Sequence, residues 1–89
     1  MHTGKIRTII RDKRFEQEMA QIESNVQRAD EFMEGAENIL SRQPEWGYQS
    51  DAPNVWIIPG YTVDLALFYT FDDDNVYFLS ILETLPQEL

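Results

Sequence analysis

Few residues in this 89-residue chain are equipped for chemistry, and most of those are carboxylates. The run Asp72-Asp73-Asp74 invites a metal reading. A calcium loop of the EF-hand type needs alternating ligands, a central glycine and a closing glutamate about twelve residues from the first ligand. The alternation and the glycine are both missing here, so the run reads as a solvated hairpin turn. The chain has no cysteine, which excludes a disulfide framework, thiolate zinc sites and cysteine nucleophiles. Its single histidine, His2, lies at the N-terminus and leaves no histidine metal cluster or Ser-His-Asp triad. No metal and no cofactor is expected.

The cations are confined to one end. Lys5, Arg7, Arg11, Lys13, Arg14, Arg28 and Arg42 all fall in the first 42 positions, whereas residues 43–89 hold eight acids and no base. The net charge is −9. Nucleic-acid affinity comes mainly from Lys and Arg displacing counterions, so no direct nucleic-acid binding is expected. Basic helical partners are the more natural guests. Lys5, Arg7, Arg11, Lys13 and Arg14 form the only basic patch. It is either a salt-bridged surface facing the acids of its own segment or a contact for an acidic partner segment or a nucleic-acid-bound target.

The aromatics lean the other way, with nine of eleven after residue 43. Phe68, Phe71 and Phe78 read as core packing. Trp46 and Tyr48, in a polar loop after a proline, either cap the preceding helix or belong to a partner-binding surface, where Trp and Tyr are enriched. Trp56 and Tyr61 flank Pro59-Gly60 and either extend that surface or pack at the core or an edge. The candidate partner-binding set is therefore Trp46, Tyr48, Trp56, Tyr61, Arg7, Arg11, Lys13 and Arg14.

These residues need elements to hold them. Residues 5–11 read as a short strand, Ile6, Thr8 and Ile10 on one face and Arg7, Ile9 and Arg11 on the other. Asp12 offers an N-cap for a helical series. Phe15, Met19, Ile22, Val26, Ala29, Met33, Ala36 and Leu40 recur at alternating spacings of four and three, widened by Phe32 and Ile39. A single helix of roughly 30 residues would span about 45 Å and overhang so small a domain. A helical hairpin joined within residues 24–30 is expected, packed on a sheet. Gln43-Pro44 ends the helical region. Residues 44–53 read as a loop, 54–59 as a strand, 62–71 as a longer strand, 72–75 as a hairpin loop and 76–82 as the returning strand. The order is β-α-α-β-β-β, an α+β fold whose helices cover one face of a small mixed sheet with a C-terminal antiparallel meander. One domain over residues 1–89 is predicted, with 84–89 a flexible tail. A chain this short buries only about 60–65% of its unfolded surface, so stability should be about 5 kcal/mol.

No long apolar stretch follows Lys5 and Arg7, so no signal peptide is expected, and the longest apolar runs fall far short of the ~20 residues that span a bilayer. A cytoplasmic protein with no membrane association is expected.

Three segments carry a resemblance. They are residues 38–47 (Asn-Ile-Leu-Ser-Arg-Gln-Pro-Glu-Trp-Gly), residues 55–59 (Val-Trp-Ile-Ile-Pro), and the hairpin 67–81 with its Tyr69, Asp72, Asp73, Val76, Leu79 and Ile81. Together with the element order, they resemble the RelE/ParE superfamily of bacterial type II toxin-antitoxin modules over roughly residues 5–83. Its members commonly show a helix closing on Asn-Pro-Glu-x-Gly and a Tyr-x-x-Asp-Asp-x-x-Val-x-x-Leu-x-Ile hairpin. The resemblance implies a cognate antitoxin as partner. It implies either a ribosome-dependent messenger-RNA endonuclease of RelE type or a ParE-like poison of DNA gyrase or another host protein. RelE-type members place Lys, Arg and Tyr or His on the central strands and C-terminal segment. Residues 63–89 here hold no Lys, Arg or His, and Tyr69 and Tyr77 alone are poor bases, since a tyrosine titrates near 10. No catalytic residue is carried over. A ParE-like binding toxin or a non-toxic interaction module of the same fold is the expected reading.

Overall fold

The computed structural model describes residues 5–23, 28–60 and 63–84. The chain runs β1 (Thr8–Arg11), α1 (Lys13–Glu23), α2 (Ala29–Arg42), a 3-10 turn (Pro44–Trp46), β2 (Tyr48–Gln49), β3 (Trp56–Pro59), β4 (Leu65–Phe71) and β5 (Asn75–Glu83). The strands form one mixed sheet in the order β1-β5-β4-β3-β2. β1 pairs parallel with β5, and the other pairs are antiparallel. This is the expected α+β architecture with one addition, since the segment read as a loop also forms the two-residue strand β2.

The four-three stripe is the reason for both helices. Phe15, Met19 and Ile22 of α1 and Ala29, Met33, Ala36 and Leu40 of α2 are all buried in one cluster. Val26, between them, lies outside the described residues. The helical region is two helices and not one: α1 ends at Glu23, and α2 starts after Arg28, whose φ of 72° is incompatible with a continuous right-handed helix. Asp30 and Glu31 in the first turn of α2 and Arg42 in its last complement the helix dipole. The Gln43 N–H closes the helix on the Ile39 carbonyl at 2.7 Å before Pro44 turns the chain.

The sheet closes the core from below with Ile58, Leu65, Leu67, Tyr69, Val76, Phe78 and Ile81. Registers explain which side chains these are. Ile58 lies opposite Leu67 and Leu67 opposite Ile81, while Tyr69 lies opposite Phe78. Directly opposed residues share a sheet face. The register shifts between Phe68 and Tyr69, where Leu79 is the extra residue on β5. That shift is why the core-facing side chains of β5 run 76, 78, 81 and not in strict alternation.

Phe68 corrects the expectation of core packing. It lies opposite Ile57 and Ser80, on the sheet face away from the helices, and is half-buried. Phe78 is fully buried against Phe15, and Phe71 packs at the margin of the core. In β1, Ile9 is the residue that packs on the core, while Ile6 and Ile10 are exposed.

β1 stops at Arg11, opposite Phe78, so the rest of β5 has no strand on that side. Glu18 of α1 takes over. One carboxylate oxygen accepts from the Ile81 N–H at 3.1 Å and from the Ser80 hydroxyl at 2.7 Å, while Arg14 approaches the other. Partial burial pushes this carboxyl up. The Ser80 hydroxyl, the Ile81 N–H and Arg14 outweigh that and hold it below the ordinary carboxylate range. Because the folded value is the lower one, this contribution is complete above the unfolded value near 4.5 and is lost as pH falls through the folded value. Glu18→Gln should therefore cost about 1 kcal/mol at pH 7, and the gap to wild type should narrow below pH 4. Urea titrations at the two pH values check this; a gap that does not narrow contradicts it.

Candidate partner-binding surfaces

The two aromatic ends of the loop after α2 lie on different sides of the molecule. Trp46 is 56% exposed and Tyr48 is 54% exposed. Trp46 walls a cleft of about 360 Å³ between α2 and β3, with Phe32, Gly35, Ile39 and Pro59 among its lining. A Cβ on Gly35 would meet nothing within 4 Å, so the floor of this cleft is open. Tyr48 lies opposite Ile57, the neighbour of core-facing Ile58, and so stands on the sheet face away from the helices. Trp56 is half-buried against Tyr69 and Phe71 and fills the core margin. Tyr61 lies outside the described residues.

What sets the Trp46 turn is Tyr69. Its side chain is fully buried; its hydroxyl donates to the Pro44 carbonyl at 2.6 Å and accepts from the Gly47 N–H at 3.1 Å. One hydroxyl thus pins both ends of the Pro44–Trp46 turn to the middle of the sheet. Burial pushes the phenol up to about 12. This tyrosine is a structural clamp without access to a substrate.

The basic cluster does not form a free patch. Arg7 Nε donates to the Asp72 carbonyl at 2.8 Å, and its guanidinium lies 5.8 Å from the centroid of the Phe71 ring. Arg11 pairs with Glu37 and covers Phe15 at 5.7 Å. Arg14 pairs with Glu18, Arg28 with Glu31, and Lys5 with Asp74. Two of these partnerships, those of Lys5 and Arg7, reach the hairpin loop and not the acids of their own segment. Among the described residues Lys13 is exposed and has no ion-pair partner within 4.0 Å.

The acidic run is a turn. One Asp72 carboxylate oxygen accepts from the Asp74 and Asn75 N–H groups at 2.9 and 2.8 Å, and the other accepts from the Tyr77 hydroxyl at 3.0 Å. The Asp74 and Asn75 amides, with Tyr77, hold this carboxyl below its ordinary range. The first aspartate is consumed in closing the loop. Among the described residues no group of three or more His, Cys, Asp or Glu is arranged to hold a metal ion. No described helix is long and apolar enough to cross a membrane.

The surface that the spacing of residues did not single out is the second face of the sheet. It carries Tyr48, Ile57, Phe68, Thr70, Tyr77 and Ile10, with Leu82 at one side. Both helices pack on the opposite face, and none of the strand-paired residues described on this one is charged. The available signal was the alternation of residues 62–71, which places Phe68 and Thr70 together on the face away from Leu67 and Tyr69.

No protein-family model matches the chain, and no curated protein matches it significantly. Among solved structures it superposes on the crystal structure of the isolated E. coli RelE toxin with a TM-score of 0.71, at 18% identity, covering 92% of this chain and 88% of that one. The chain has the RelE fold.

Proposed function

We propose that this chain is the toxin-like component of a type II toxin-antitoxin module, that it acts in the cytoplasm by binding a host protein in the ParE-like manner, and that a cognate antitoxin neutralises it. The observation that carries the proposal is a RelE fold combined with a sheet face that holds no cation among the described residues. Cleaving RNA at a phosphate requires positive charge aimed at the developing negative charge, and removing one such donor typically costs about 100-fold or more in rate. In this chain Tyr69 is locked in the turn and Tyr77 is engaged with Asp72. The fold supports toxin ancestry, and the electrostatics support binding over hydrolysis.

Controlled expression in the native host, with and without the adjacent reading frame, tests the reading. Growth arrest is expected from the chain alone, with relief on co-expression. Loss of supercoiling by purified gyrase would identify that target. Codon-register cuts in translated messages, read by primer extension, would overturn the binding mode in favour of a ribonuclease. A second reading, a non-toxic interaction module, is favoured by the segment 43–89, which holds eight acids and no base. Unaffected growth together with a copurifying basic partner would establish it.

A further inference from the structure

We infer that the second face of the sheet is a docking site for an amphipathic helix of a partner protein, apolar along its stripe and basic at both ends. This rests on the protein-binding reading above and names the surface and the chemistry of the partner.

The face is apolar where it is central and acidic where it ends. Ile57 and Phe68 are half-buried at its centre, flanked by Thr70 and Tyr77. Tyr48, Ile10 and Leu82 are 54%, 40% and 46% exposed around them. Ala66, also on this face, is buried yet does not belong to the core cluster. Bulky apolar side chains left in water on one side of a two-layer fold mark an interaction surface. Carboxylates stand at both ends of the strands. Asp64 precedes β4 and is exposed, while Asp72, Asp73 and Asp74 form the loop at the other end, offset in part by Lys5 and Arg7.

That pattern selects among occupants. RNA needs cations under its phosphates, and this face has none among the described residues. A second copy would bring another −9 chain with the same acidic ends against the first, so like charges would oppose each other across the contact. A partner with Lys or Arg at both ends of an apolar stripe meets both features. A helix suits an open sheet face better than an added strand, because a helix satisfies its own backbone groups and needs only side-chain contact. β4 spans seven residues, roughly 20 Å, which about 13 helical residues cover. The basic residues of the partner should therefore sit about four helical turns apart.

A designed fluorescent helical peptide of about 18 residues, with leucines at three-four spacing and lysines near both ends, is the probe. Its counterpart carries glutamates in place of lysines. The lysine peptide should bind at least about tenfold tighter. Phe68→Asn should weaken it about fivefold or more, and Tyr48→Ala, at an exposed position, gives the same test where Phe68→Asn fails to fold. Asp64→Asn combined with Asp73→Asn should flatten the salt dependence of binding. Equal affinity for both peptides overturns the inference, as does indifference to all of these substitutions. So does a single-stranded RNA that displaces the peptide, or a dimer in sedimentation that Tyr48→Ala disperses. Growth arrest without peptide binding would remove this docking face and leave the toxin reading intact. Peptide binding without growth arrest would do the reverse.

Discussion

Gly47→Ala should cost the chain more than half of its stability. A Cβ at this position would stand 2.4 Å from the Ile57 carbonyl oxygen and 2.6 Å from the Tyr69 hydroxyl. The φ of Gly47 is −75°, which any residue adopts, so the requirement for glycine comes from the close approach and not from the backbone angle. Neither neighbour can give way cheaply. The carbonyl belongs to β3, where Ile57 pairs with Tyr48 on one side and with Phe68 on the other. The hydroxyl is held by Pro44. Making room means pulling the 3-10 turn off the sheet and breaking both bonds of the Tyr69 clamp, at a cost of about 3 kcal/mol or more. Against a total of about 5 kcal/mol, that removes most of the stability of so small a core. The urea midpoint should fall by more than half. Gly35→Ala is the control: it lies in the interior of α2 with open space around its Cβ position, and should gain up to about 1 kcal/mol by helix propensity. Similar midpoints for the two variants would show that the Gly47 contact is not limiting.

The reason for Gly47 illustrates what the sequence could and could not disclose. The segment Pro44-Glu45-Trp46-Gly47 stood out as a pattern, but the group that explains it, Tyr69, lies 22 residues away from Gly47. Periodicity reports which face of an element is apolar, and it located the buried residues of both helices from Phe15 to Leu40. It cannot report which distant hydroxyl a turn will meet. β2 was invisible for a related reason, since two residues, Tyr48 and Gln49, are too few to show alternation. The same limit governed the candidate surfaces. Trp46 and Tyr48 are close in sequence and both exposed, yet one faces the helices and the other the open sheet, because the chain enters β2 between them. Arg7 and Arg11 did share a strand face, as alternation requires. That face is the core side, where their guanidinium groups lie over Phe71 and Phe15. Residue type alone places Phe68 in the core, whereas its register sets it opposite Ile57 on the open face.

Tyr69→Phe removes the clamp without changing the shape of the ring, and its expected effect depends on pH. At pH 8 the variant leaves the buried Pro44 carbonyl and the Gly47 N–H without their partner, which should cost about 2 kcal/mol. The wild-type phenol is pushed up to about 12 by burial, against an unfolded value of 10.0. A raised folded value means that the stabilisation is complete below pH 10 and is lost as pH rises toward 12, because the unfolded chain releases this proton first. Two pH units correspond to roughly 2–3 kcal/mol. Wild type should therefore lose that amount across this range through Tyr69, while Tyr69→Phe has no such proton to lose. Contributions common to both proteins cancel in the difference. Urea unfolding of the pair at pH 8 and pH 11.5 should show the stability gap closing, and a gap that stays constant would mean that the hydroxyl ionises freely and does not hold the turn. The result bears on function because the Trp46 wall of the α2–β3 cleft and the start of β2, with Tyr48 on the open face, both hang from that one hydroxyl. If the clamp is released, binding at the open face should weaken together with stability, whereas substitutions at Phe68 should weaken binding while the turn stays in place.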